Sequence, residues 1–309
     1  MHPTRREFFG SCALALSAAP SAFAAKPAFT FPTAPAERLA VASYSFRSLI
    51  DTPRNRTRTP ATDAPLIALK DFPAVIARRY NVHGVELLGQ HFPSVEPEYL
   101  AELRAALKAA NSRLVNLPTS VGASFYDPDP ARRNLAIANA KKWVDTAVAL
   151  DCHSLRVHIQ GGKDFAPNVN LAADALLPVA AYGEKNSVVI HLENDDPTTE
   201  DAFFLAKVLD RANSPWLRAL PDFCNSMLKG DEKFNYDAVA AMFRRAYAIS
   251  HVKDSEVDNG KTFRVDLART FQIARETGYK GYFSIEWEGA GDVWEENAKL
   301  IEQSIRLMA

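Results

Sequence analysis

Four residues carry the chemistry this sequence can do: Glu193, Asp222, His251 and Glu286. Each stands where a short apolar run gives way to polar residues, in His191-Leu192-Glu193-Asn194-Asp195, Leu220-Pro221-Asp222, Ser250-His251-Val252-Lys253-Asp254 and Ile285-Glu286-Trp287-Glu288. Buried carboxylates are costly unless they are paired or bind a metal. Three carboxylates and one imidazole form a hard, oxygen-rich donor set. One Mn²⁺ ion fits it best, and Mg²⁺, Co²⁺ and Zn²⁺ are admitted. Three negative charges over-compensate a divalent ion, which leaves one carboxylate basic enough to move a proton. A cation chelating a carbonyl and its neighbouring hydroxyl would stabilise an enediolate, with a carboxylate taking the proton.

Such a set needs elements that bring its members to one place. In the stretch Gly281 to Gly289, residues Tyr282, Ser284, Glu286 and Glu288 share one parity, and Phe283, Ile285 and Trp287 the other. A strand sends these sets to opposite faces, so the carboxylates point one way while the large apolar groups pack on helices. Counted from residue 39, strands are expected at 39–46, 82–88, 114–118, 154–159, 187–192, 217–222, 249–252 and 281–289. Helices are expected between and after them, at 71–80, 97–110, 130–150, 171–185, 199–212, 237–247, 266–277 and 293–308. Eight alternations of this kind imply a parallel sheet covered on its faces. A closed (β/α)8 TIM barrel of class α/β fits the count, and it gathers residues at strand C-terminal ends around one rim. No glycine-rich turn follows the first strand, which argues against an open doubly wound sheet. The long connection Arg47 to Lys70 leaves a strand's C-terminal end and is expected to overhang the mouth, as a basic lid or as a disordered loop.

The chain has 309 residues, 47% hydrophobic and 24% charged, with a net charge of −1. That balance excludes an electrostatic nucleic-acid binder. Residues 1–24 read as a twin-arginine signal peptide: Thr4-Arg5-Arg6-Glu7-Phe8-Phe9, a weakly apolar run, and Ala22-Phe23-Ala24 as cleavage site. Residues 25–37 read as a linker and 38–309 as one barrel domain. Export to the periplasm or beyond is the expectation, with no membrane span once the signal is removed. Cys152 and Cys224 fall at opposite ends of the barrel, so no bridge between them is expected.

Further residues suit sugar hydroxyls. Glu86 and His91 follow strand two, Arg156 and His158 share a parity on strand four, and Asn225 and Lys253 follow strands six and seven. Arg156 serves equally well as a salt-bridge partner inside the barrel. For His191 a hydrogen-bonded core role is favoured, and for Trp287 packing against helices.

Glu193, Asp222, His251 and Glu286, with the segments His251-Val252-Lys253-Asp254 and Ile285-Glu286-Trp287-Glu288, resemble the xylose-isomerase-like TIM barrel family, across essentially the whole chain after residue 37. The resemblance implies that these four are the metal ligands and that Glu193 and Glu286 are also the acid/base pair. It implies a divalent-metal isomerase or epimerase of a sugar or sugar-like polyol, and the family's frequent pairing implies a homodimer. Two departures separate the chain from ketose 3-epimerases: Asn225 stands where they have a His, and Lys253 stands in for an Arg after strand seven. The same site in an exported protein would serve a lyase that acts on a keto-sugar or 3-keto-glycoside by β-elimination or dehydration. A non-catalytic sugar-binding barrel is the alternative of another class, although binding alone would not need four ligands. Seven histidines, one of them His2, are too few for a multi-zinc phosphodiesterase.

Overall fold

The computed structural model describes residues 25–57, 65–159, 161, 164–195 and 201–309. The twin-arginine pattern, the cleavage site, the middle of the long loop and the helix start expected at Thr199 lie outside the described residues.

The elements in chain order are β1 (Leu39–Ala42), α1 (Pro53–Arg56), α2 (Phe72–Tyr80), β2 (Gly84–Glu86), α3 (Pro97–Ala109), β3 (Arg113–Ser120), α4 (Pro130–Ala149), β4 (Ser154–His158) and α5 (Val169–Lys185). There follow β5 (Val189–Glu193), α6 (Ala202–Ala212), β6 (Leu217–Leu220), α7 (Glu232–Phe243), β7 (Ile249–Val252), the pair β8 (Ser255–Asp258) and β9 (Lys261–Arg264), α8 (Leu267–Glu276), β10 (Tyr282–Ile285) and α9 (Val293–Met308). Eight parallel strands run in the order β6-β5-β4-β3-β2-β1-β10-β7. Isolated bridges Ala219–Ala246 and Asp222–His251 join the two ends of that order. The result is a single-domain TIM barrel, closed through β6 and β7.

Alternation along the strands divides the core. Leu39, Val41, Ile190, Leu192, Phe283 and Ile285 face outward into the large apolar layer under the helices. Inside, Ala40, Val115, Leu220 and Ile249 form a small apolar plug with Tyr282. Burial of the outer layer is the main stabilising term, at roughly 25 cal/mol per Å² of apolar surface. Residues 25–37 run across the barrel's lower end. Phe29 stacks on His153 with centroids 4.9 Å apart, Phe31 meets Tyr282 edge-on at 5.7 Å, and Trp216 Nε1 donates to the Ala25 carbonyl at 2.7 Å. Cys152 and Cys224 are free and buried. Among the described residues no helix is long and apolar enough to cross a membrane.

Several strands are shorter than expected, because the chain bends as soon as it reaches the mouth. The first ends at Ala42, and the Phe46 N–H then turns back to the Ser43 carbonyl at 3.2 Å. The helix expected to start at Asp237 starts instead at Glu232, because the Asp231 side chain accepts from the Phe234 N–H and caps it. The β8–β9 hairpin was not expected at all. Its turn is Asn259-Gly260, with φ of 49° and 77°, a pairing that suits two-residue hairpins. The connection 47–70 is not structureless either: its described part holds α1 and a bridge between Ile50 and Ile67.

Candidate metal centre and substrate pocket

The strands end where the carboxylates begin. Glu193 is the last residue of β5, His251 sits on β7, and Asp222 and Glu286 lie just past β6 and β10. Each of the four offers one donor atom, and these atoms lie within 4.8 Å of one another. All four residues are buried.

His251 is the hub. Its Nδ1 faces Glu193 Oε1 at 2.7 Å and Glu286 Oε2 at 3.2 Å. Its Nε2 faces Glu86 Oε1 at 2.9 Å. Glu86 is in turn held by Asn116 Nδ2 at 2.7 Å, and Asn116 Oδ1 accepts from Ser154 Oγ at 2.6 Å. His191 completes this row, with Nδ1 3.1 Å from Ser154 Oγ. Burial opposes charge on His251, but Glu193, Glu286 and Glu86 outweigh it and hold the imidazolium well above the ordinary histidine range. Burial pushes the His191 imidazole down to about 3, so it stays neutral in the core.

Asp222 is fixed by backbone. Its Oδ1 accepts from the N–H groups of Cys224 and Asn225 at 2.8 and 2.7 Å. Among the described residues its Oδ2 is wholly buried with no hydrogen-bond donor, and the nearest cation is Lys253 Nζ at 3.9 Å. Burial pushes this carboxyl up to about 7, against the pull of Lys253. An orphaned buried oxygen beside two more carboxylates and an imidazole is what a divalent cation would satisfy, so the residues fit one. Glu193, Asp222, His251 and Glu286 would hold it.

Lys253 forms a second hub. β7 stops at Val252, so strand parity no longer governs Lys253 and its side chain enters the pocket. Its Nζ lies 3.0 Å from Asn225 Oδ1, 3.1 Å from Glu256 Oε2, 3.3 Å from Glu286 Oε2 and 3.0 Å from Glu288 Oε2. Burial works against this charge, but the carboxylates of Asp222, Glu286, Glu288 and Glu256 hold the ammonium well above its usual value. Burial alone would raise Glu286, yet His251 and Lys253 hold it well below the usual carboxylate range. Glu256 comes from the unexpected hairpin. Sequence reasoning missed it, although Asp258-Asn259-Gly260 carries the turn signal that would have placed it.

Of the other expected contacts, Arg156, His158, Asn225 and Lys253 line one cavity of about 400 Å³ together with Glu193 and Glu286. Arg156 Nε pairs with Glu193 Oε2 at 3.0 Å, and His158 Nε2 lies 2.8 Å from Asp195 Oδ1. One residue is corrected. Glu86 does not reach the cavity: with a register shift between Val85 and Glu86, its side chain sits against His251. His91 sits on a short 3-10 turn, where its Nδ1 meets Ser43 Oγ at 3.0 Å and burial pushes its pKa down to about 4; it lines a neighbouring cavity and not this one.

Glu86→Gln is expected to keep the packing but weaken metal binding, by about 10–100-fold for a group that orients a metal-ligating histidine. Calorimetric titration with Mn²⁺ measures this, and unchanged affinity would detach Glu86 from the centre.

Residues 75–309 match the family described as xylose isomerase-like TIM barrel. Among solved structures, D-allulose 3-epimerase from Methylomonas sp. aligns at a TM-score of 0.67 and 15% identity, over 90% of this chain and 100% of that one. The 3-keto-D-glucoside 4-epimerase from E. coli aligns at 0.62 and 11% identity, over 86% and 98%. A xylose isomerase-like TIM barrel protein from Mycobacterium smegmatis in complex with magnesium aligns at 0.64 and 14%, over 87% and 96%. No curated protein matches the sequence.

Proposed function

Since the chain belongs to the xylose isomerase-like TIM barrel family, we propose that it is a divalent-metal-dependent isomerase or epimerase of a sugar or sugar-like polyol. The observation that carries this is the convergence of Glu193, Asp222, His251 and Glu286 within 4.8 Å at the floor of a polar cavity. When bound there, a divalent ion supplies a Lewis acid for a carbonyl and its neighbouring hydroxyl. The chain's own groups do the rest. Glu286 and Glu193 approach His251 Nδ1 from two strands, and as the acid/base pair they take and return a proton beside the carbonyl. Return to the other face of the same carbon epimerises; return to the neighbouring carbon isomerises. Lys253 puts a positive charge in the cavity wall beside Glu286, where it would offset negative charge developing on a substrate oxygen, and Arg156 holds Glu193 in position.

A lyase acting on a keto-sugar or 3-keto-glycoside is the second reading. Glu193 and Glu286, which meet at His251 Nδ1, serve it as well: the proton would be taken beside the carbonyl, and departure of a β-leaving group would replace return of the proton. The twin-arginine pattern at Arg5-Arg6 supports an exported enzyme in either case.

Metal content of the purified protein, then turnover on ketoses and 3-keto-glycosides with that metal restored, tests the proposal. Interconversion without loss of mass establishes the isomerase or epimerase. Release of water or an aglycone establishes the lyase, and no stoichiometric metal overturns both. Metal affinity is expected to rise with pH through about 7 and beyond it, because Asp222 and the His251 imidazolium must each lose a proton to bind. The sign for the metal-free fold is the reverse. A carboxyl raised from 3.8 to about 7 contributes stability that is present below its unfolded value and lost as pH climbs through the folded one. Titration calorimetry and melting curves across that window check both directions, and a flat metal affinity would remove both Asp222 and His251 from the ligands.

A further inference from the structure

A second cavity of about 1000 Å³ opens beside the inner one. The two share Tyr44, Leu88 and Gln90 as lining, so they adjoin at the barrel mouth. The junction is marked by an ion pair across it: Arg47 lines the outer cavity, Glu288 the inner, and Arg47 Nη2 lies 3.0 Å from Glu288 Oε1. The guanidinium also lies over the Tyr44 ring, 4.3 Å from its centroid.

The outer cavity has firm walls. Asn55 Nδ2 donates to the carbonyls of Arg47 and Ile50, both at 2.7 Å, which ties the loop after β1 to itself. On the opposite side Trp294 packs on Phe46 with centroids 4.7 Å apart, and Trp287 is almost fully buried. Gly289 keeps the space over Trp287 open, since a Cβ there would come within 3.0 Å of the indole ring. Indole surface beside hydrogen-bonding groups suits a ring with apolar faces and hydroxylated edges. Arg54 and Asp292, of opposite charge, both line the space, and Arg47 is already paired, so the walls favour neither sign of substituent.

We propose that this outer cavity is a subsite for the second ring of a glycosidically linked carbohydrate. The substrate is then a sugar carrying a ring-sized sugar substituent rather than a free monosaccharide. Either cavity alone has a volume within the range of about 300–1,000 Å³ that one small ligand fills, so a single hexose would leave the outer one idle. This rests on the inner cavity being the sugar site proposed above. It adds which sugars enter, and the chemistry at the metal centre does not depend on it.

The test compares D-fructose with its O-glucosyl derivatives turanose and leucrose, titrated calorimetrically into the Mn²⁺-loaded full chain. At least one disaccharide is expected to bind about tenfold more tightly than fructose, a gain of about 1.4 kcal/mol. Ser48→Trp should remove that gain and leave fructose affinity as it was, because exposed Ser48 lines the outer cavity and not the inner. The subsite is overturned if neither disaccharide binds more tightly than fructose, or if Ser48→Trp leaves the gain in place. Metal content and product analysis report on the proposed function independently of these outcomes.

Discussion

Glu286→Gln is expected to lower turnover by about 10²–10⁴-fold, the usual worth of one positioned general acid or base. The amide keeps the length and packing of the side chain but cannot accept the proton. His251 and Lys253 outweigh the effect of burial and keep Glu286 in the ionised form a base needs, although the same charges lower its basicity. It also donates an oxygen to the four-residue cluster, so the variant is assayed at saturating metal, where weaker binding no longer limits the rate. Glu193→Gln should fall by a similar factor, since epimerisation needs a group on each side of the carbon. Unchanged turnover in Glu286→Gln would remove the acid/base role from this residue and leave it as a ligand only.

The second large effect is on stability. Lys253 is 3% exposed and its ammonium lies within 4 Å of carboxylate oxygens of Asp222, Glu256, Glu286 and Glu288. Lys253→Met fills the same space without the charge and leaves those carboxylates to repel one another. Breaking a buried ion pair by removing one partner costs about 3–5 kcal/mol. At roughly 2–4 °C per kcal/mol for a chain of this size, the melting temperature should fall by about 6–20 °C. Saturating Mn²⁺ should recover part of the loss by supplying positive charge to the same carboxylates. Calorimetric melting with and without the ion reads both effects, and a drop below about 2 °C would show that the lysine's charge is not needed there.

How much of this could be read beforehand depended on where strand geometry governs. Glu193, Asp222, His251 and Glu286 were legible because each closes an apolar run, and the C-terminal ends of barrel strands converge. Alternation also put Phe283 and Ile285 outside and Ser284 inside, as the core shows. It failed where the chain leaves the ladder. Glu86 was misplaced by a register shift within a three-residue strand. Lys253 was placed rightly at the pocket. Its position among four carboxylates was not legible, because Glu256 reaches it from a hairpin whose pairing with β9 is a tertiary fact. Residues 25–37 gave a composition of Ala and Pro that reads as a tether. Their two phenylalanines find partners only once His153, Tyr247 and Tyr282 are brought together beneath the barrel.

The wall of the barrel has one thin joint, between β6 and β7. Elsewhere neighbouring strands share ladders of three or four residue pairs, but here two isolated bridges suffice, and one of them joins Asp222 to His251. The donors therefore straddle the seam: Glu193 and Asp222 stand on one side, His251 and Glu286 on the other. A cation gripped by all four would act as a rivet through that seam. Loading the centre and latching the cylinder would then be a single event, so ion occupancy would set how rigidly the two halves of the wall are held together.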